Sequence, residues 1–411
     1  MQKIIDAAEK QLESRFKEID NIAFLNQMKV LEAFKKNAIS TRHFAGTTGY
    51  GYDDIGRDTL ARLFADVFCA ESAIVSPMLT CGSHAISTVL FGLLRPGDLM
   101  LSVTGSPYDT LMETIKGSNH DNGSLKDFGV RYGQIDLTSD YQPDYDKIQI
   151  EIQQNKPKIV FMQRTRGYSW RPPLNMQCID RVAKIIKTYS PNSFLVVDNC
   201  YGEFVDYHEP TEFGADVIVG SLIKNPGGGL AQTGGYIAGS KRAIDLISSR
   251  FTSPSLGLEV GSYEQGYRNY YQGLFLAPHT VAQAIKGSLL IGQIMSDMGF
   301  DVFPSKSDHI GDIIQSIKFD TKQQLIDFVR LVQKVSPIDS FVQPEPWAMP
   351  GYEDEVIMAA GTFVSGASIE LSCDSPIKKP YVAYFQGGLT YEHIKAFAYE
   401  ILKNKNLFNT F

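Results

Sequence analysis

The sequence lacks the motifs of several large enzyme classes. It contains no His-Glu-x-x-His, no P-loop and no Gly-x-Gly-x-x-Gly. These absences argue against zinc hydrolases, nucleotide hydrolases and dinucleotide-dependent enzymes, because each class depends on those residues for its chemistry. The five cysteines are widely scattered, with no Cys-x-x-Cys and no histidine at a zinc-ligand spacing. We therefore expect reduced thiols and no metal site.

Positive charge is also limited. The formal net charge is -7, and no clustered Lys/Arg run with interleaved aromatics occurs. Such a chain offers no basic field to a polyphosphate backbone, so we expect no nucleic-acid partner. The N-terminus has no apolar core followed by a cleavage site, and no stretch approaches the length needed to span a bilayer. We expect a cytoplasmic protein without a membrane partner.

The 411 residues exceed what one hydrophobic core usually holds, so more than one domain is expected. Apolar residues recur at helical spacing from Ile4 to Phe34, and a segment rich in glycine and tyrosine, 44–57, predicts an ordered loop. A helix then starts with Asp58 as its N-cap. We predict an N-terminal helical arm with an interface loop over 1–57, a large domain over 58–275 and a small α+β domain over 276–411.

Short apolar runs alternate with helical patterns in the central part of the chain. They cover residues 73–75, 99–101, 159–162, 194–197 and 217–219. Continuous apolar runs are typical of strands that are buried on both faces. The pattern predicts an α/β fold with a mostly parallel sheet between helices, in which ligands bind beyond the carboxyl ends of the strands.

Two of these runs deliver residues that suit a pyridoxal phosphate (PLP) site. Asp198 follows the run 194–197, and Ser221 and Lys224 follow the run 217–219, just before three glycines. PLP needs a lysine amine that forms an imine with its aldehyde and a carboxylate that keeps its pyridine nitrogen protonated. The alternative for this pair is an ordinary Asp–Lys ion pair or two unrelated loop residues.

A phosphate site and a stacking ring are predicted at the same edge of the sheet. Gly82 and Ser83 open a helix after the first strand, and Ser221 offers a further hydroxyl donor. Backbone N–H groups at a helix N-terminus favour anions. Tyr108 follows the second strand, where its ring can stack on the pyridine. Singly these are a helix cap and a packing tyrosine, but together with Asp198 and Lys224 they favour PLP.

Four segments carry a likeness to a known family. They are 49–57 (Gly-Tyr-Gly-Tyr-Asp-Asp-Ile-Gly-Arg), the strand before Asp198, the loop 221–229, and 384–390 (Tyr-Phe-Gln-Gly-Gly-Leu-Thr). The chain resembles fold-type I PLP enzymes of the cystathionine β-lyase and methionine γ-lyase group, and most closely the methionine γ-lyase-like "aluminium resistance protein" family. The resemblance covers nearly the whole chain. It implies the aminotransferase type I fold, with a seven-stranded sheet in the PLP-binding domain.

The resemblance also implies a role for each candidate residue. Lys224 is the imine lysine, Asp198 the partner of the pyridinium and Tyr108 the stacking ring. The phosphate is held by Gly82, Ser83 and Ser221, and by Tyr52 and Arg57 from the arm of a neighbouring subunit. The active sites are then shared within a homodimer or homotetramer.

One departure from the group concerns the substrate carboxylate, which those lyases clamp with an arginine of the small domain. The corresponding strand is expected at 368–372, Ser-Ile-Glu-Leu-Ser, and holds no arginine. Lys378 and Lys379 lack the planar fork that grips a carboxylate. Arg164, Arg166 or Arg171, after the strand that ends near Met162, can replace it.

The leading hypothesis is carbon–sulfur bond cleavage in an amino-acid substrate of the cystathionine, cysteine or methionine type, by β- or γ-elimination. The same cofactor cradle also suits an aminotransferase or an aldolase-type enzyme, because reaction choice depends on substrate orientation. A third hypothesis is a binding or regulatory protein that has a PLP-type fold and no turnover, which the missing arginine permits.

Overall fold

The helices and strands are taken from a computed structural model that describes residues 1–117, 123–349 and 352–408. The α-helices are α1 (Gln2–Lys36), α2 (Ile55–Val67), α3 (Gly82–Leu93), α4 (Asp109–Lys116), α5 (Tyr145–Asn155), α6 (Met176–Tyr189), α7 (Lys241–Phe251), α8 (Arg268–Asp297), α9 (Lys322–Val335) and α10 (Tyr391–Lys403). Short 3-10 helices cover Thr41–Phe44, Pro210–Phe213, Asn225–Gly227 and Lys405–Phe408. The strands are β1 (Ser72–Ser76), β2 (Leu99–Ser102), β3 (Arg131–Gln134), β4 (Ile159–Gln163), β5 (Phe194–Asp198), β6 (Val217–Ser221), β7 (Gly235–Gly239), β8 (Asp301–Phe303), β9 (Ile314–Phe319), β10 (Val356–Ala359), β11 (Ser372–Pro376) and β12 (Tyr381–Gln386).

The larger sheet has seven strands in the order β1-β7-β6-β5-β4-β2-β3. Strands β2 to β6 pair in parallel, whereas β7 runs antiparallel to both β6 and β1. Each of the five predicted apolar runs forms a strand of this sheet. The sheet is therefore mixed, with five neighbouring parallel strands that extend from β6 to the edge strand β3.

Both faces of this sheet are buried, which explains the continuous apolar runs. In β4, Val160 and Met162 join the core on one face, while Ile159 and Phe161 join the core on the other. Alternate residues of a strand point to opposite faces, so a strand covered on both sides needs apolar residues throughout. The edge strand β3 is partly exposed and polar, and was not predicted for that reason.

The second sheet is antiparallel throughout, with the order β10-β11-β12-β9-β8. In β12, Ala383 and Phe385 pack with helices α8, α9 and α10. Val382 and Tyr384 lie on the opposite face, in a smaller apolar cluster together with Trp170. This second face looks away from the helices and toward the loops of the larger sheet.

Two local predictions were wrong. Helix α2 begins at Ile55 with Asp54 as its N-cap, and the Asp54 Oδ1 accepts the Arg57 N–H at 2.9 Å, so Asp58 lies inside the helix. Capping depends on which side chain can reach the free N–H groups, and Asp54 reaches them first. The expected strand at 368–372 is mostly turn, and β11 begins only at Ser372.

Helix α8 is the one helix of the described residues that is long and apolar enough to cross a membrane. Its mean hydropathy is 1.2 over an 18-residue window, and 72% of that window is buried inside the protein. The expectation that no stretch reaches this length was therefore wrong. Its burial is that of a core helix, since Leu274 and Leu289 lie in the core of the larger sheet and Leu290 and Ile294 in that of the second sheet.

The domain limits stay predictions, and the structure places both inside helices. The limit at 57/58 falls within α2, and the limit at 275/276 falls within α8. Helix α1 also contributes to both cores, with Ile5 in the core of the second sheet and Leu12 in that of the larger sheet. Two helices thus join the two sheets.

Candidate active site

A cavity of about 1010 Å³ lies where the carboxyl ends of the parallel strands meet the second sheet. Six of the eight predicted site residues line it, and we call them the cofactor wall: Gly82, Ser83, Tyr108, Asp198, Ser221 and Lys224. The facing residues, which we call the substrate wall, are Tyr168, Arg171, Tyr352, Asp374, Tyr384 and Gln386.

Asp198 and Lys224 come from neighbouring parallel strands, as predicted. Asp198 ends β5, is 4% exposed, and accepts the Cys200 N–H at 3.1 Å. Lys224 follows β6, and its Nζ lies 4.0 Å from the ring centroid of Tyr201. Among the described residues, no ion pair joins the two charges within 4.0 Å. They face one cavity without pairing directly, which is the arrangement that a ring inserted between them requires.

The buried position of Asp198 disfavours its charged form. Burial raises the pKa of this carboxyl, and the nearby charge of Lys224 only partly opposes the effect. A buried carboxylate without a cationic partner is unfavourable, so the site favours a ligand that brings positive charge to Asp198. A pyridinium nitrogen is such a group.

The phosphate end of the cofactor wall is formed by the N-terminus of α3 and by β6. A Cβ atom placed on Gly82 would lie 3.4 Å from the Cβ of Ser221, so the two backbones are adjacent. The Ser221 Oγ is buried and has no hydrogen-bond partner among the described residues. A free hydroxyl beside a helix N-terminus suits an anion.

Tyr108 lies beside this anion site, as N-cap of α4. Its backbone N–H donates to the Gln163 Oε1 at 3.1 Å, and its hydroxyl lies 3.1 Å from the Ser83 Oγ. Burial raises the pKa of Tyr108, and the charge of Asp198 adds to the effect. The phenol therefore stays neutral in the physiological pH range, as a stacking ring should.

The residues of the cofactor wall fit PLP. Among the described residues, the Ser221 hydroxyl has no hydrogen-bond partner, the buried Asp198 carboxylate forms no ion pair, and the Lys224 amine lies in the same cavity. Each of these three groups lacks the partner that one part of PLP would supply.

The loop after Lys224 approaches α8 closely. A Cβ atom on Gly273 of α8 would collide with the carbonyl oxygen of Gly227, and Gly228 has a φ of 54°, in the left-handed region. Glycine at these positions lets the two backbones touch. The position of Lys224 is thus tied directly to α8.

Two of the three candidate arginines are already engaged. Arg164 does not line the cavity, and its Nη1 donates to the Asn199 Oδ1 and the Gly202 carbonyl, both at 2.8 Å. Arg166 lines the cavity but forms a buried two-point ion pair with Asp312, with distances of 3.1 and 3.0 Å. Neither guanidinium is free to hold a substrate carboxylate.

Arg171 is the remaining candidate. It lines the cavity, and within the described part of the chain it donates only to backbone carbonyls, among them that of Thr165 at 2.6 Å. None of the ion pairs among the described residues includes it. Burial lowers the pKa of Arg171 to about 10, and the charge of Asp312 offsets this only in part. Arg171 is thus a buried cation that an anionic ligand would stabilise.

Tyr52 and Arg57 lie away from this cavity in the single chain. Tyr52 is 57% exposed and stacks on Tyr50, with ring centroids 5.4 Å apart. Arg57 donates to the carbonyl of Gly51 and forms an ion pair with Asp58 at 2.8 Å. Their predicted role across a subunit interface stays a prediction.

Sequence reasoning missed most of the substrate wall and the ring beside Lys224. Tyr201 has a φ of 69°, which bulky residues rarely adopt, and this conformation places its ring against the lysine. Its position three residues after Asp198 was a usable signal. Asp374 and Tyr384 had no such signal, because they belong to the second sheet.

A buried polar network lies beneath the cofactor wall. The Tyr236 hydroxyl donates to the Glu203 Oε1 at 2.8 Å, and the Asn199 Nδ2 donates to the Glu209 Oε2 at 3.1 Å. Burial raises the pKa of Glu203 to about 8. Glu203 does not line the cavity, so this network supports the segment after Asp198 from behind.

Comparison with known proteins gives a consistent result. The sequence profile described as Methionine gamma-lyase matches residues 1–406. The uncharacterized protein YnbB of Bacillus subtilis is 49% identical over 380 residues, which cover 92% of this chain and 90% of its own. One solved structure is that of a Listeria monocytogenes protein proposed to be a cystathionine beta-lyase involved in aluminum resistance. It has a TM-score of 0.95 at 47% identity, and the match covers 98% of this chain and 99% of the Listeria chain.

A more distant solved structure shows the fold. Escherichia coli YhfS, described as pyridoxal-5'-phosphate dependent, has a TM-score of 0.61 at 17% identity and covers 94% of this chain and 97% of its own. The two chains therefore share a fold.

Proposed function

The chain belongs to the methionine gamma-lyase family, whose cofactor is PLP, and on this basis we propose that it is a carbon–sulfur lyase. The substrate is a sulfur amino acid of the cystathionine, cysteine or methionine type, cleaved by β- or γ-elimination. One observation carries the proposal: Asp198, Ser221 and Lys224 face one cavity, each without the partner that PLP would supply.

Different residues of the cofactor wall would hold different parts of PLP. Lys224 would bind the aldehyde carbon, Asp198 the pyridine nitrogen, and Gly82, Ser83 and Ser221 the phosphate, while Tyr108 covers the ring. When bound, PLP supplies an electron-withdrawing ring that stabilises negative charge at the substrate α-carbon.

Lys224 has a second role as the base. With a substrate bound, the Lys224 Nζ would act as the base that takes the α-proton of the substrate. The ring of Tyr201, 4.0 Å away, keeps this amine beside the cavity. Elimination releases the thiol, and water then converts the remaining product to a keto acid and ammonia.

Arg171 would bind the α-carboxylate of the substrate. It replaces the arginine that the lyase group carries in the small domain and that is absent from 368–372. The support is that Arg171 lines the cavity and has no carboxylate partner in the described ranges, whereas Arg166 is engaged by Asp312.

The experiment is a substrate panel with purified holoenzyme. Cystathionine, cysteine and methionine are incubated separately, and thiol, ammonia and keto acid are measured. We expect all three products from at least one substrate in equal amounts. Amino-group transfer to an added keto acid without thiol release would instead identify an aminotransferase, and no product from any substrate would contradict an enzymatic role.

We further propose that Tyr52 and Arg57 complete the phosphate site of a neighbouring subunit, in a dimer or tetramer. The support is the exposed position of Tyr52 beside Ile55, which is 47% exposed. The test mixes inactive Lys224→Ala and Arg57→Ala subunits. If the sites are shared, mixed dimers regain part of the activity, whereas no recovery after verified subunit exchange would refute the shared site.

A further inference from the structure

Glu203 contacts both ends of the segment that carries Lys224. A Cβ atom placed on Gly220 would lie 2.6 Å from the Glu203 Oε1, so the carboxyl group packs on the backbone of β6. At the other end, the Asn225 Nδ2 donates to the backbone carbonyl of Glu203 at 2.9 Å. Ser221 and Lys224 lie between these two contacts, so Glu203 can fix the position of both.

Two buried oxygen atoms in this region have no hydrogen-bond partner among the described residues. They are the Glu203 Oε2 and the Asn225 Oδ1, and both residues are 0% exposed. The Glu203 Oε1 is satisfied, because the Tyr236 hydroxyl donates to it at 2.8 Å. A buried oxygen without a donor is unfavourable. The two remaining acceptors would both be satisfied by one shared proton.

The protonation state of Glu203 decides whether that proton is present. An ionised carboxylate accepts hydrogen bonds and donates none, whereas a protonated carboxyl group has one O–H donor. Burial raises the pKa of Glu203 to about 8, so the group is mostly protonated at neutral pH. A proton on the Glu203 Oε2 supplies the donor that the Asn225 Oδ1 lacks.

The groups that face Glu203 also favour its neutral form. The segment after β5 contributes Cys200 and the acid Glu209, whose negative charge opposes ionisation, and β7 contributes only the neutral Tyr236. Lys224, after β6, is the cation that acts in the other direction. None of the ion pairs within the described ranges includes Glu203. An ionised Glu203 would therefore be a buried charge without a direct partner.

We propose that Glu203 is a positioning residue that works as a neutral acid: its Oε2 donates to the Asn225 Oδ1, and this hydrogen bond holds Lys224 in place. The inference rests on the proposed function and adds to it a residue that touches neither substrate nor cofactor. Ionisation of Glu203 removes the hydrogen bond, because two acceptors then remain, and it places a negative charge behind Lys224. Turnover therefore falls as the pH rises, while substrate binding changes little.

The first test compares the pH dependence of kcat in the parent protein and in Glu203→Gln. Glutamine keeps a donor beside Asn225 but cannot ionise. We expect kcat of the parent to fall roughly 10-fold between about pH 7 and about pH 9, with KM changed less than about 2-fold, and we expect Glu203→Gln to lose this fall. An equal fall in both proteins would overturn the inference.

Glu209 provides the matched control, because it is a second buried acid of the same segment. Its carboxylate oxygens accept the Phe204 N–H at 3.2 Å and the Asn199 Nδ2 at 3.1 Å. In the part of the chain that the structure describes, it forms no hydrogen bond to the segment 220–225. Glu209→Gln should therefore keep the alkaline fall of kcat, and its loss in this variant would contradict the assignment to Glu203.

A double-mutant cycle tests the hydrogen bond itself. Glu203→Leu should lower kcat at about pH 7 by roughly 5- to 20-fold, because it leaves the Asn225 Oδ1 without a donor. In Asn225→Leu protein the same change should alter kcat by less than about 2-fold, since the partner is already absent. Absorbance of the bound cofactor checks that each variant is folded and loaded. Equal losses in the two backgrounds would refute the hydrogen bond.

Infrared difference spectroscopy separates this inference from the proposed function, because it needs no substrate. The difference between holoprotein and Glu203→Gln should contain the carbonyl stretch of a protonated carboxyl group, which disappears as the pH rises through about 8. Absence of this band at about pH 7 would overturn the inference, even if sulfur amino acids are cleaved. The band without cleavage of any sulfur amino acid would refute the lyase alone, and the rate of borohydride reduction in holoprotein would then replace kcat in the tests above.

Discussion

The two walls of the cavity are built in different ways. The cofactor wall consists of residues at or after the ends of strands of one sheet, and its Ser221 Oγ has no hydrogen-bond partner among the described residues. The substrate wall brings together a loop of that sheet, through Tyr168 and Arg171, and strands of the second sheet, through Asp374 and Tyr384. The difference suggests that the chemistry and the choice of substrate are carried by separate parts of the molecule.

The largest effect is expected at Lys224. Lys224→Ala removes the amine that, in the proposed function, would anchor the cofactor and take the α-proton, so turnover of every substrate should fall by at least about 1000-fold. The visible absorbance that borohydride fixes in the parent protein should disappear. Lys378→Ala is the matched control, because this cavity lysine pairs with Asp354 and should keep both properties. An unchanged spectrum in Lys224→Ala would show that the anchor lies elsewhere.

Asp198→Asn should have the next largest effect. The amide keeps the shape of the side chain but removes the charge that favours a protonated pyridine, so turnover should fall roughly 100-fold for all substrates alike. Absorbance spectra should show that cofactor remains bound. Asp109→Asn, a second aspartate of the cavity, is the control. A loss of turnover confined to some substrates would contradict the assignment of Asp198 to the cofactor, which every substrate uses.

A smaller effect is expected at Arg171. Arg171→Lys keeps the charge but loses the planar fork, so KM should rise about 10-fold for every amino-acid substrate, with kcat changed less. The cofactor content should match that of the parent protein. Arg171 would act on the carboxylate that all amino-acid substrates share. A KM that stays unchanged would exclude Arg171 as the carboxylate site.

The smallest effect on activity is expected at Glu203, behind the cofactor wall. Its pKa in the folded protein is about 8, against an ordinary value of 4.5, so its contribution to stability is complete below pH 4.5 and is lost as the pH rises through 8. Such a group adds a slope of about 1.4 kcal/mol per pH unit between these values. Glu203→Gln should flatten the decline of the urea midpoint between pH 5 and pH 8. Parallel curves for the two proteins would contradict the buried acid.

The cofactor wall could be predicted from the sequence because its physics is local. A buried strand appears in the sequence as a run of apolar residues. Neighbouring parallel strands bring their carboxyl ends to one edge of the sheet, so Asp198 and Lys224 could be placed together. The same pattern could not reveal β7, which has only three residues, Tyr236 to Ala238, between two glycines, or its antiparallel direction.

The substrate wall could not be predicted in the same way. Asp374 faces the cavity only because β11 pairs with β12 in one register, and a shift of one residue would turn it to the other face. The expectation of a strand at 368–372 missed this register. Arg171 was one of three candidates, and it is singled out by the contacts of the other two, Arg164 with Asn199 and Arg166 with Asp312.

Helix α8 gives the cavity a mechanical property. One of its turns touches the glycine loop behind Lys224, and its later turns are embedded beneath the second sheet. A displacement of the second sheet must therefore either bend α8 or shift Lys224. The distance between the Lys224 amine and the substrate wall would then stay constant, and it would set the length of the substrate side chain that fits the cavity.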